Sequence, residues 1–304
     1  MDNIDSRLKL LSNSSLSLLH SCARKYQLKK LWPEYIREET VHTSYGKFFG
    51  AGIQYILSGD SFEDAIIKAS TEWKLDLYDE EKEKTFWHCF NAIETFSIIR
   101  HQLDISDYEV VMFNNKPACE LSFCIDLENG FYYRGYIDIL MQHKLSGELL
   151  VVDAKTSNAR YTNPAKYQNS AQAISYSIVI DAIFSNTSGF NVLYFEYLTG
   201  LNKFEHHLFY KDYLERATWI RDILIDCEIM NLYSRWDSWP KNGNACTNYG
   251  RTCEFIDNCM METANLIGSN IITKDAIELD KEANKTYDIN VTLSNIIESQ
   301  LGRN

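Results

Sequence analysis

Proline and glycine are scarce, 4 and 13 among 304 residues. So few chain breakers exclude a string of small domains on flexible linkers. No segment recurs with a period of roughly 20 to 50 residues, which excludes solenoid and propeller arrays. Long apolar runs are missing too: nothing approaches the roughly 18 uncharged residues of a membrane span. The opening MDNIDSRLKL lacks the basic-then-apolar layout of a signal peptide. A cytoplasmic protein, in the host cytoplasm if viral, with no membrane partner is therefore expected. Positive charge is in deficit, 30 Lys and Arg against 42 Asp and Glu for a net of −12, so the surface as a whole will not bind polyanions indiscriminately. Gly-x4-Gly-Lys-Ser/Thr, His-Glu-x-x-His and Gly-x-Ser-x-Gly are all absent, which excludes a fused P-loop ATPase, a zincin and a serine-hydrolase elbow.

What remains is a chain with 45% hydrophobic residues, long enough to bury one large core. Residues 12–31 open with Ser and Asn caps and place apolar residues at helical spacing. Helical patterns continue over 44–58, 62–77 and 80–101. After Asp107 the texture changes. Segments 108–113, 118–127, 131–142 and 148–154 are rich in β-branched and aromatic residues punctuated by Gly130 and Gly147, the pattern of an antiparallel meander. A helix over 166–185, strands over 191–198 and 203–210 and a helix over 211–233 follow. The fold class expected is α/β: a central mixed sheet flanked by helices, with a helical N-terminal region and a Cys-rich C-terminal segment. One domain is expected over 1–262, divided into a helical part (1–105), a catalytic α/β core (106–210) and a helix plus Cys-rich segment (211–262). Residues 263–304 form a polar, acidic tail with a short helix at 292–301 and no assigned role.

Two aspartates end consecutive strands, Asp138 in Gly135-Tyr136-Ile137-Asp138 and Asp153 in Val151-Val152-Asp153-Ala154-Lys155. Carboxylates brought together repel unless a cation lies between them, and hard oxygen ligands suit Mg²⁺ or Mn²⁺. Residues i and i+2 of a strand face the same side, so Lys155 projects beside Asp153, where an amine can orient or activate a water. Glu120 adds an acid on the preceding strand. Gln172 and Tyr176, four apart, share a helix face on which an amide and a phenol could hold a phosphate or the attacking water. Singly, each acid is equally an ordinary strand-end residue.

In order, Glu120, Gly-x-Ile-Asp (135–138), Asp-x-Lys (153–155) and Gln-x-x-x-Tyr (172–176) resemble the motifs of the PD-(D/E)XK nuclease superfamily, above all its RecB-like and CRISPR-associated exonuclease branch, over roughly residues 10 to 260. The resemblance implies metal-dependent phosphodiester hydrolysis in DNA repair, recombination or replication. Asp138, Asp153 and the Ala154 carbonyl would bind metal, Lys155 would assist the water, and Gln172 and Tyr176 would support them. Single-stranded DNA or duplex ends are the implied partners, together with replication or recombination proteins. One departure stands out: where the branch carries an additional His ligand on an early helix, this chain has Gly50. Water or Gln54, one turn further on, could fill the vacancy. A degraded nuclease fold that binds DNA or a protein without cutting is the alternative.

Eight cysteines in an intracellular chain read as thiols or metal ligands rather than a disulfide framework. Cys89, Cys119, Cys124 and Cys227 lie within apolar patterns and read as core. Cys246, Cys253 and Cys259 crowd one loop-like segment, and with Cys22 they make the four thiolates of an iron–sulfur or structural zinc site. The resemblance implies a 4Fe-4S cluster, since several RecB-like nucleases have one Cys near an N-terminal Arg-Lys-Tyr and three near the C-terminus. The six-residue gap between Cys246 and Cys253 keeps Zn²⁺ as the alternative. From Arg7 to Arg37 seven basic residues face the single acid Glu34; among them Arg24 and Lys25 are the DNA-binding candidates, an ordinary solvated helix face being the other reading. His42, His88, His206 and His207 are expected to hold no metal.

Overall fold

The run Leu149-Leu150-Val151-Val152 has no polar face, so the strand it forms must be covered on both sides. The structure, a computed structural model, describes residues 4–31, 40–74, 84–103, 105–158, 161–184, 190–248, 251–262 and 287–301, and it puts that run at the centre of the sheet. The principal helices are α1 (Asn13–Ser21), α2 (Ala23–Leu31), α3 (Val41–Leu57), α4 (Phe62–Ala69), α5 (Phe86–Ile99), α6 (Ala171–Phe184), α7 (Tyr213–Arg235) and α8 (Leu293–Leu301). The principal strands are β1 (Cys119–Asp126), β2 (Tyr132–His143), β3 (Leu149–Ser157), β4 (Phe190–Leu198), β5 (Lys203–Lys211) and β6 (Ile289–Thr292). They pair in the order β6-β1-β2-β3-β4-β5, and the short pieces Leu10–Leu11 and Tyr108–Val110 pair with the two ends of β2. Pairs β1–β2, β2–β3 and β4–β5 are antiparallel; β3–β4, joined through α6, and β6–β1 are parallel. This is the expected mixed sheet between helical layers.

Alternate residues of the central strands feed two cores. Val151 and Val192 pack with Leu16, Leu28, Ile178 and Ile223 from α1, α2, α6 and α7. Val152 and Leu193 pack with Phe48, Ala65 and Ile93 from α3, α4 and α5 on the opposite face. Close approach requires glycine at two points: a Cβ on Gly135 would lie 2.6 Å from the Phe123 ring, and one on Gly52 would lie 2.6 Å from Ile93. Among the described residues no helix is long and apolar enough to cross a membrane.

Several expected elements are altered by tertiary contact. The helix expected over 12–31 is broken at Cys22, whose backbone is extended (φ −163°, ψ 106°). Chain restarts there because Arg24 N–H donates to Pro240 O at 3.0 Å, turning Cys22 toward the 240–259 segment. Helix 62–77 stops at Ala69 and continues as a short 3₁₀ turn, Ser70–Glu72, and 80–101 is helical over Phe86–Ile99, residues 80–83 lying outside the described ones. Inside the tail, residues 287–301 join the core: β6 extends the sheet alongside β1, and Ile289 and Ile296 are buried. Asp288 Oδ2 accepts from Ser122 N at 3.0 Å and Ser122 Oγ at 2.6 Å, pinning the new edge. Asp288→Ala is expected to lower unfolding free energy by about 1–3 kcal/mol, since it orphans a buried strand N–H and a hydroxyl. Chemical denaturation checks this, and an unchanged midpoint would mean the edge strand is held by burial alone.

Candidate active site

Strands β1 and β2 change faces together at one position. Cys119 and Ile139, paired with each other, pack into the α3–α5 layer, whereas the next pair, Leu121 and Ile137, packs into the opposite layer. Between these pairs Glu120 stands opposite Asp138. Glu120 has φ 50°, a left-handed conformation uncommon outside glycine, and at this change of face it is exposed while Asp138 beside it is half-buried. On the other side β2 and β3 pair through Ile139 and Val152, so the adjoining residues are Asp138 and Asp153. Three acids on three neighbouring strands therefore converge.

Asp153 is fully buried because it continues the apolar run of β3. Its charged partner is Lys155, whose Nζ stands 2.5 Å from Oδ1. Asp138 lies within hydrogen-bonding reach of Asp153. Burial, and then the Asp153 charge, push the Asp138 carboxyl well above its usual range, with Lys155 pulling the other way. Glu120 is raised by desolvation and the Asp153 charge against the pull of Gln54 and Lys155. For Lys155, burial favours the neutral amine, but Asp153 and Asp138 outweigh it and hold the ammonium above its usual pKa. With Asp138 protonated, the buried Asp153 is balanced by the single Lys155 ammonium; ionising Asp138 would add a second negative charge beside it, which a bound cation could offset. That donor set fits a hard divalent cation, although among the described residues no three His, Cys, Asp or Glu side chains are already arranged to hold an ion.

Helices close the site from both layers. Gln172 Nε2 donates to the Tyr176 hydroxyl, and Tyr176, 1% exposed, feels burial and then Asp138 and Asp153, which raise its pKa so that the phenol keeps its proton. Helix α3 presents Gly46, Gly50 and Gln54 on one face at four-residue intervals. A Cβ at Gly50 would meet nothing within 4 Å, so the position is open. Gln54 Nε2 donates to Glu120 Oε1 at 2.8 Å and to Asp138 O at 3.4 Å. It reaches the acids rather than the cation position. Ala154 lies between Asp153 and Lys155 with its side chain in the α3–α5 layer. Tyr194 and Glu196 of β4, not singled out from the sequence, lie beside Asp153 and Lys155 in parallel register. The shared side-chain alternation of the two strands was the available signal, but it needs their pairing to be known.

The four expected cysteines border one small cavity but are not gathered closely enough to hold an ion. Cys22, Cys246, Cys253 and Cys259 line one apolar cavity with Leu28, Phe255 and Ile256, and none of the eight cysteines is in a disulfide. Cys89, Cys124 and Cys227 are buried; Cys119 is half-buried. Arg24, expected at a DNA surface, is instead interior at 6% exposure: its guanidinium donates to Cys259 O at 3.1 Å, to Met261 O and to Gln27 Oε1. Lys25 pairs with Glu254 at 2.8 Å, at the edge of a polar groove that also holds Ser14, Ser17, Lys29 and Asn242. A run of basic residues cannot by itself distinguish a solvated cation from one recruited by carbonyls 235 positions away.

The raised Asp138 pKa gives a stability prediction. Above the ordinary aspartate value of 3.8 the unfolded chain ionises while folded Asp138 keeps its proton, so the folded state binds more protons and stability falls as pH rises through that window. Asp138→Asn is expected to remove this component of the decline and to stabilise the metal-free protein at neutral pH by about 1–3 kcal/mol. Denaturant titrations in EDTA across pH check it; an identical pH slope in parent and variant contradicts the coupled pair.

Comparison with known proteins agrees with this geometry. A solved protein from Eubacterium rectale, proposed to be an exonuclease, superposes with a TM-score of 0.51 at 9% identity, covering 83% of this chain and 93% of its own, a likeness of fold alone. Another, SSO0001, gives a TM-score of 0.28 at 15% identity over 71% of this chain and 85% of its own, too low to bear on the fold. A search of curated proteins returns no match. The sequence profile of the PD-(D/E)XK nuclease superfamily matches residues 10–260, and with most of the chain so matched the protein belongs to that superfamily.

Proposed function

We propose that the chain is a Mg²⁺- or Mn²⁺-dependent DNA nuclease that degrades strands from ends, in recombination, repair or replication. The supporting observation is the fully buried Asp153 carboxylate held beside Asp138, Glu120 and Lys155. Asp138, Asp153 and the Ala154 carbonyl would hold the cation. When bound, it supplies charge neutralisation at the phosphoryl group and a lowered pKa for an attacking water. Lys155, kept protonated by its neighbours, acts as a hydrogen-bond donor to that water or to a phosphate oxygen, not as a base. Gln172 and Tyr176 keep a neutral O–H facing the acids, and Gln54 fixes the Glu120 carboxylate. Exonuclease action, single-stranded or end-containing substrates and partner proteins of recombination or replication follow from the likeness to the RecB-like branch; the E. rectale protein's proposed activity points the same way.

Gly50 favours a second reading, a fold that binds DNA without cutting it, because no side chain stands where the branch has a histidine. Cleavage of labelled single- and double-stranded DNA with Mn²⁺ separates the two. Asp153→Ala and Lys155→Ala are each expected to slow cleavage at least about a hundredfold. Equal cleavage by parent and both variants overturns the site, whereas DNA retained without metal and no hydrolysis with any divalent cation supports the second reading.

The cysteine cavity belongs to the same proposal. Four cysteines bordering one small cavity are compatible with a 4Fe-4S cluster, which the likeness to the RecB-like branch favours, or with Zn²⁺. Such a group would tie α2 to the C-terminal segment, a staple rather than a catalyst. Anaerobically purified protein is expected to be brown with about four iron and four sulfide per chain, and Cys253→Ser to bleach it; a colourless protein with stoichiometric zinc replaces the cluster by the structural metal.

A further inference from the structure

Glu196 is a buried carboxylate, 4% exposed, on β4. It lies in parallel register with Lys155, and the two side chains leave the same face of the sheet. The Tyr167 hydroxyl donates to its carboxylate, and the Tyr167 ring stacks on Tyr194 at 4.5 Å, which holds that donor in place. Its Oε2 is nevertheless buried without a partner. A buried carboxylate oxygen with no donor is unfavourable unless a partner can reach it.

The neighbouring charges narrow the choice of partner. On β5 the residue opposite Glu196 is Glu205, a like charge, already bridged by Lys203 at 2.5 Å. On β3 the residue opposite is Lys155, whose ammonium now sits against Asp153. Adjacent strands lie closer together than a lysine's four-carbon stem can span. Lys155 therefore has two anionic acceptors within its swing, Asp153 on its own strand and Glu196 on the next.

We propose that Glu196 is a positioning residue for Lys155, the alternate acceptor that takes up its ammonium when a divalent cation occupies Asp153. The inference rests on the metal-site reading given above. A cation at Asp153 turns attraction for the ammonium into repulsion at close range. With Glu196 present the ammonium moves one strand over and stays beside the site, charged and directed. Without it the ammonium has only Asp153 and competes with the cation for the same oxygens.

Mn²⁺ binding to the full-length protein without DNA, followed by electron paramagnetic resonance, tests this through a double-mutant cycle. Glu196→Gln, nearly the same in shape, is expected to weaken Mn²⁺ binding about tenfold. Lys155→Met is expected to bind at least as tightly as the parent, and adding Glu196→Gln to Lys155→Met to change nothing further. Glu196→Asp should recover part of the loss, and Tyr167→Phe should leave Mn²⁺ affinity near the parent's. Equal weakening with and without Lys155 makes Glu196 a direct ligand or a purely structural group and overturns the proposal; so does a Glu196→Gln protein that binds like the parent. A parent that binds no Mn²⁺ removes the metal site itself, so the two failures are distinct.

Discussion

A fully buried carboxylate midway along β3, with a single ammonium for its partner, is the constraint around which the site is organised. Asp153 follows four apolar residues of β3 and is held interior by them, because Val151 and Val152 are each packed into a core. An isolated buried carboxylate is strongly disfavoured, so the surroundings must neutralise it by a proton, a paired ammonium or a metal. Lys155 supplies one positive charge, and Asp138 brings a second negative one into reach. Balance is kept by the Lys155 ammonium and by the proton that Asp138 retains.

Placement of the second and third acids follows from backbone geometry rather than from side-chain choice. Glu120 and Asp138 stand at the position where β1 and β2 exchange faces, which spends a left-handed φ on a residue that is not glycine. Such a conformation persists only where surrounding structure holds it. Here the paired residues on either side, Cys119 with Ile139 and Leu121 with Ile137, are locked in opposite cores, and Phe123 lies directly on Gly135. A second long-range lock acts at the N-terminal helices. Arg24 hydrogen-bonds the carbonyls of Cys259 and Met261, and Tyr26 stacks against Trp239 at 6.1 Å. These contacts gather the four cysteines whether or not a metal group sits among them.

Much of this was legible in the residues. The two-residue period put Lys155 beside Asp153, the four-residue period put Gln172 beside Tyr176, and the punctuation by Gly130 and Gly147 delimited the strands they divide. Features carried by nonlocal contact were not legible. Cys22 sits in a helix-like pattern, yet Pro240 draws the chain into a break there. Ile289-Asn290-Val291-Thr292 is too short and too polar in setting to announce an edge strand, because its stability comes from β1 and from Asp288 bonding Ser122. Arg24 had the composition of a surface cation, and only the fold reveals carbonyl acceptors beside it. Tyr194 and Glu196 became site neighbours once parallel pairing of β3 and β4 was known.

Helix α3 contributes open space and a neutral donor to the site rather than a charge. Gly50 opens space on the face that meets the acids, and Gln54, one turn later, reaches across to Glu120. An amide donor lowers the Glu120 pKa without adding charge, whereas burial and Asp153 raise it. One oxygen of Glu120 is thereby fixed in direction while the other keeps its lone pairs. A neutral donor that orients an acid serves a site whose cation is held chiefly by Asp138 and Asp153. It serves less well a site that needs an imidazole on the cation itself. If a cation binds as proposed, the open space at Gly50 and the reach of Gln54 to Glu120 would leave its binding to the two aspartates.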